Sequence, residues 1–165
     1  MAVQSWSVVG ITHQGSSEAT KGGDMAYKIV VGYDGSNGGK AALDQGVGLA
    51  KRLSGEVLVT YAFGGRKQYA GASLTPRRTL KQMGEEVLEE ALARIADSGV
   101  PVQPVLVDDD AWQGLRSVAD QHGAAMIVVG THGSSPITGM LLGSTAYRLV
   151  HSSTTPVLIV PTRTP

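Results

Sequence analysis

Apolar residues along this chain follow two alternating rhythms. Five short runs rich in β-branched residues, "YKIVVGY" (27–33), "EVLVTYA" (56–62), "VPVQPVLV" (100–107), "AAMIVVG" (124–130) and "PVLIV" (156–160), predict strands. Between them apolar positions recur at helical spacing. One such stretch runs from about Ser36 to Leu53, with Leu43, Val47, Ala50 and Leu53 on one face. A second opens at Thr75-Pro76, with proline at the first helical position, and carries Leu80, Met83, Val87, Leu88, Ala91 and Ile95 until Asp97-Ser98-Gly99 ends it. A third, 111–122, uses Leu115, Val118 and Ala119; a short fourth spans 144–151. Gly46 and Gly48 inside the first helix cost propensity, so close packing is expected there.

The order βαβαβαβαβ predicts a parallel sheet covered on both faces. With right-handed crossovers this gives an α/β fold, a single doubly wound, Rossmann-like domain over residues 25–165. Pro104 cannot donate to a ladder, which puts the third strand at an edge. Residues 1–24 sustain neither period and are expected to form a mobile extension, although Trp6, Val8, Val9 and Ile11 offer apolar surface for packing. Met25, directly before the first strand, is a second place for translation to begin.

Composition narrows the function. The 165 residues carry no net charge and only 5% aromatic residues, against a general nucleic-acid binder or a stacking platform for single strands. No cysteine is present, so thiol catalysis and zinc–thiolate sites are excluded. No run reaches the length of a spanning helix, and the N-terminus lacks a charged signal-peptide start. A cytoplasmic domain is the expectation.

In open α/β sheets ligands sit beyond the carboxyl ends of the strands, where strand order reverses. Two segments end there with useful chemistry: "VVGYDGS" (30–36), which delivers Asp34, and "VVGTHGSSPITGMLLGST" (128–145). In the second, glycines allow close backbone approach, and Gly143-Ser144-Thr145 opens a helix whose first N–H groups suit an anion. A flexible loop and an anion cradle both fit the residues. "DGSNGGKA" (34–41) fails as a Walker A loop, because Asp34 replaces the first glycine and Ala41 the magnesium-binding hydroxyl. No G-x-G-x-x-G follows any strand.

"GTHGSSPITGMLLGS" (130–144) fits the spacing G-x2-G-x9-G-(S/T), and on it the chain resembles the ATP-binding branch of the universal stress protein family. The likeness runs over residues 26–161 through "VGYDGS", "VLVTYA", "MIVVG" and "TPVLIVP". It implies a five-stranded parallel sheet ordered 3-2-1-4-5 with ATP between the first and fourth strands. Asp34 would then meet the ribose, with Gly32 also at the nucleotide site, Ala62 and Val129 near adenine, and Gly130, His132, Gly133, Gly143, Ser144 and Thr145 around the phosphates. Magnesium or manganese would bridge the phosphates, mostly through water. The resemblance also implies a homodimer through the last strand, Pro156 to Val160.

Blander readings stand beside these. Asp34 also suits a turn cap with Gly35 and Ser36. His132 reads as a loop residue or phosphate neighbour, not as an acid–base catalyst. Asp108-Asp109-Asp110 reads as a solvated turn and helix cap, and His13, His122 and His151 have no zinc spacing. Met140, Leu141 and Leu142 suit loop packing or an interface. With no catalytic or metal-ligating residue identified, the expectation is a nucleotide-dependent regulatory binding protein with at most slow ATP hydrolysis. The alternative is a nucleotide-independent dimeric interaction module of the same fold. An α-hydrolase-like enzyme would need further substrate-recognition segments.

Overall fold

The computed structural model describes residues 7–8, 27–64, 77–133 and 142–162. Its elements are β1 (Ser7–Val8), β2 (Lys28–Gly32), α1 (Asn37–Leu53), β3 (Glu56–Ala62), α2 (Arg77–Arg94), β4 (Val102–Val107), α3 (Ala111–His122), β5 (Met126–Gly130), α4 (Ser144–Ser152) and β6 (Val157–Val160). A 3-10 turn at Ala96–Ser98 follows α2. Every strand pair is parallel, in the order β1-β4-β3-β2-β5-β6. Counted from β2, this is the five-stranded order 3-2-1-4-5. The two-residue β1 is an addition from within the stretch 1–24, whose other residues lie outside those described.

The period-2 alternation of the strands feeds two cores. Ile29, Val31, Val57, Val59 and Tyr61 face α1 and α2 and pack with Leu43, Leu80, Leu88 and Ala91. Val30, Leu58, Val105, Val107, Ile127 and Val129 face α3 and α4 and pack with Leu115, Val118 and Leu149. Burial on both sides explains why these strands read as unbroken apolar runs.

Pro104 has a ladder explanation. Val57 N donates to Pro101 O and Phe63 N to Val107 O, both at 2.9 Å. In a parallel ladder alternate residues serve one neighbour, so 101, 103, 105 and 107 turn their peptide groups to β3. Pro104 is therefore turned outward, and its missing N–H costs the β3 ladder nothing.

Two expected core positions are exposed instead: Leu53 at 38% and Met83 at 41%. In α2 the buried stripe passes through Gly84, where a Cβ would come within 2.6 Å of Leu106 Cδ1 and 2.8 Å of Tyr61 Cδ1. A small residue on the buried stripe carries no hydrophobic signal, so the pattern shifted to its neighbour.

The two α1 glycines differ. A Cβ on Gly46 would lie 2.4 Å from Val31 Cγ2, whereas one on Gly48 would meet nothing within 4 Å. Val31 is a fully buried, stiff side chain and cannot easily give way. Gly46→Ala is expected to destabilise by about 1–3 kcal/mol through overpacking. Gly48→Ala should stabilise by up to about 1 kcal/mol through helix propensity. Denaturant midpoints of the two variants check this, and equal shifts would contradict it.

Candidate functional site

The sheet opens between β2 and β5. Their register ends at Val31↔Val128, while β2 continues along β3 to Gly32↔Thr60 and β5 along β6 to Gly130↔Val160. Tyr33 N still donates to Thr60 O, and Thr131 N to Val160 O, both at 3.0 Å. Each strand thus follows its outer neighbour, leaving a crevice where the chain order reverses. Gly32 lies at its floor, where a Cβ would meet Leu115 Cδ1 at 3.0 Å and Val129 Cγ1 at 3.1 Å. Val129 is buried on the α3 side, and half-buried Ala62 ends β3, opposite Val107.

The start of α1 is driven into this crevice. A Cβ on Gly38 would fall 1.9 Å from the His132 carbonyl oxygen, and one on Gly130 would fall 2.6 Å from three Gly38 backbone atoms. Backbone touches backbone, and no side chain could yield to make room. Gly38 stands at the crevice although the sequence reading of "DGSNGGKA" goes no further than a failed Walker loop. The signal was a glycine pair at a helix start, where nothing in helix formation asks for two glycines.

Asp34 closes the turn above α1. Its Oδ1 accepts from Ser36 N at 3.1 Å and from Ser36 Oγ, while Ser36 Oγ accepts from Gly39 N at 3.1 Å as the α1 N-cap. Gly35 takes φ +76° in this turn. The capping contact is thus present. The second oxygen, Oδ2, faces the loop, because a Cβ on Gly133 would lie 2.7 Å from it. Asp34 therefore stands between the α1 start and the loop that follows β5.

Beside it, Tyr33 OH donates to Glu90 Oε1 at 3.2 Å, and Lys40 Nζ pairs with the same oxygen at 3.0 Å. Burial, the Glu90 charge and that hydrogen bond push the Tyr33 phenol up to about 12. The Lys40 hydrogen bond, more than its charge, holds the Glu90 carboxyl below its usual range. This network ties the Asp34 turn to α2, and no local motif announced it, since Tyr33 and Glu90 are 57 residues apart.

The loop returns to the crevice at its far end. Gly143 N donates to Thr131 O at 2.7 Å, and a Cβ on Gly143 would sit 3.1 Å from that oxygen. Tyr147 N donates to Gly143 O at 3.0 Å, the first bond of α4, so the N–H groups of Ser144, Thr145 and Ala146 have no partner within the helix. Gly143 supplies no side-chain cap. Ser144 is exposed and Thr145 half-buried. Buried Leu149 anchors α4, and Arg148 lies 5.7 Å from the Trp112 ring centroid of α3. The expected site residues thus gather at one end of the sheet, with Met140 and Leu141 outside those described. Of the three aspartates after β4, Asp110 stands at the α3 N-cap position without a side-chain cap bond, and Asp109 Oδ1 accepts from Asp110 N at 2.7 Å.

Residues 25–161 match the model of the universal stress protein family, and this chain belongs to that family. It is 31% identical over 148 residues to universal stress protein YxiE of Bacillus subtilis (strain 168), covering 82% of this chain and 99% of that protein. A solved universal stress protein in complex with cAMP is 27% identical with a TM-score of 0.61, over 81% of this chain and 96% of that one. The universal stress protein from Archaeoglobus fulgidus in complex with dAMP shares the fold at a TM-score of 0.64 and 21% identity, over 82% and 98% of the two chains.

The Tyr33 phenol gives the site an alkaline signature. Its value is raised in the folded chain, so it stabilises the fold fully below about 10, and that contribution is lost as pH rises through about 12. Unfolding midpoints followed over that range should fall more steeply for the native chain than for Tyr33→Phe. Parallel curves would contradict the assignment.

Proposed function

We propose that this protein binds ATP in the crevice between β2 and β5 and acts as a nucleotide-dependent regulatory binding protein. The observation that carries this reading is the start of α4. Three N–H groups without helical partners lie beside a crevice whose backbones are brought together by Gly38, Gly130 and Gly143. Backbone donors and a helix dipole at one point favour a phosphate group. Gly32 and Asp34 would meet the ribose, Ala62 and Val129 the adenine, and His132, Ser144 and Thr145 the phosphate end. The cAMP and dAMP complexes of the similar structures support an adenine nucleotide as the ligand class.

These residues fit an anion. Among the described residues no group of three or more His, Cys, Asp or Glu is arranged to hold a metal. Magnesium or manganese would therefore be held through the phosphates, with water completing its shell, and would neutralise phosphate charge. The chain's own contribution is to bind and orient, and hydrolysis is at most slow. Bound nucleotide would change the surface that this end of the sheet offers to partners. No described helix is long and apolar enough to cross a membrane, and a cytoplasmic site of action fits this reading.

The proposal includes a homodimer through Pro156 to Val160. In β6 Leu158 is 38% exposed, and on the adjoining α4 Tyr147 and Val150 are 56% and 52% exposed. An apolar edge strand of this kind favours pairing with a second copy. Sedimentation at tens of micromolar, with Leu158→Lys as comparison, should give a dimer that the variant loses. A native monomer would remove the dimer from the reading.

Calorimetric titration with magnesium-ATP tests the nucleotide site, and Ser144→Asp is the informative variant. A carboxylate at the first turn suits the α4 dipole, so the fold should be kept or slightly strengthened. The same charge repels phosphate, and affinity should fall by about tenfold or more. Saturable binding in the native chain, weakened in a variant of unchanged melting temperature, supports the proposal. Absence of binding to nucleotide-free native protein, or full affinity in the variant, would contradict it and favour the nucleotide-independent interaction module.

A further inference from the structure

We propose that the outer edge of β4 is a strand-acceptor site, which this chain fills with its own N-terminal segment around Ser7–Val8. The five-stranded sheet has two edges. One is β6. The other, β4, carries β1 in parallel register, Ser7↔Val105 and Val8↔Leu106.

The acceptor groups follow from the ladder. Residues 101, 103, 105 and 107 are committed to β3, so Pro104 and Leu106 turn their peptide groups outward. With Ser7 opposite Val105, the parallel geometry sets Ser7 N against the Pro104 carbonyl and the Leu106 N–H against the Ser7 carbonyl. Pro104 also limits the register. A strand extended towards its own N-terminus would next need the residue 104 N–H, which proline lacks, so pairing can begin only at Ser7. Proline therefore has two effects here: it blunts the edge against long pairing and leaves a short acceptor beside Leu106. Residues 5–11, "SWSVVGI", carry the β-branched character that such a strand wants.

The occupant is thus this chain's own extended segment, recognised by main-chain hydrogen bonds. Among the described residues both cores and the other five strands lie within 27–162, so the Ser7–Val8 pairing can be lost without dismantling the sheet. Its departure would bare a second edge, opposite β6, for a further extended chain.

Hydrogen exchange of the full chain, read at the Leu106 amide, tests this. Ser7→Pro removes the N–H that meets Pro104 and should speed Leu106 exchange by about fivefold, the equivalent of one net hydrogen bond. Val8→Pro is the control, because the Val8 N–H points away from β4 and an extended Ser7 tolerates a following proline. It should leave the rate unchanged. Equal rates in the native and Ser7→Pro chains, or equal loss in Val8→Pro, would overturn the proposal.

Discussion

Gly38 and Gly130 meet backbone to backbone, and the carboxyl end of the sheet is organised around that contact. A methyl group on either would overlap main-chain atoms of the opposite segment, with 1.9 Å to the His132 carbonyl in one direction. Because both are bare, the first turn of α1 sits directly against the tip of β5. The chain beyond β5 is then held beside Asp34, whose one carboxylate oxygen caps the turn into α1 while the other faces Gly133. Gly143 returns to Thr131 and sets the start of α4 on the same crevice. Gly130 and Gly143 of the G-x2-G-x9-G spacing therefore have a reason to be glycine that precedes any ligand. They let three backbone segments converge, and the converging N–H groups are what a phosphate would use.

Much of the fold was legible because the central strands β2, β3 and β5 are buried on both faces. Runs such as Ile29-Val30-Val31 and Ile127-Val128-Val129 have no polar face to confuse with a helix, and the helices between them are amphipathic. The place of β4 as the outermost of the five strands was legible from one residue, since Pro104 fits only where its missing donor faces away from β3, although the short β1 pairs beyond it. The losses have physical causes. Met83 replaced Gly84 in the expected α2 stripe because glycine contributes no hydrophobic signal even where packing is tightest. Gly46 and Gly48 look alike in sequence, yet one lies against Val31 and the other faces open space. The pairing of Ser7–Val8 with β4 was out of reach, since two residues define no period.

The candidate site was legible in its outline and not in its supports. The end of the first strand pointed to Asp34 and spacing to the three motif glycines, but the partner that makes Gly130 obligatory is Gly38, far earlier in the chain. The Tyr33–Glu90–Lys40 network joins three elements and carries no local signature. It braces the Asp34 turn from the α2 side, while Ser36 braces it from within. A site on short turns needs such bracing, because loops are held only by what their ends and side chains grip.

Family membership follows from the match over residues 25–161, and the nucleotide reading rests on the geometry of the α4 start. The most direct measurement is residue-resolved amide NMR of the full chain during titration with magnesium-ATP. The account expects the Ser144, Thr145 and Ala146 amides to move saturably together with Gly133, as phosphate takes up N–H groups that have no partner within the helix. Amides of α4 that stay fixed while others report binding would place the ligand elsewhere and contradict the account.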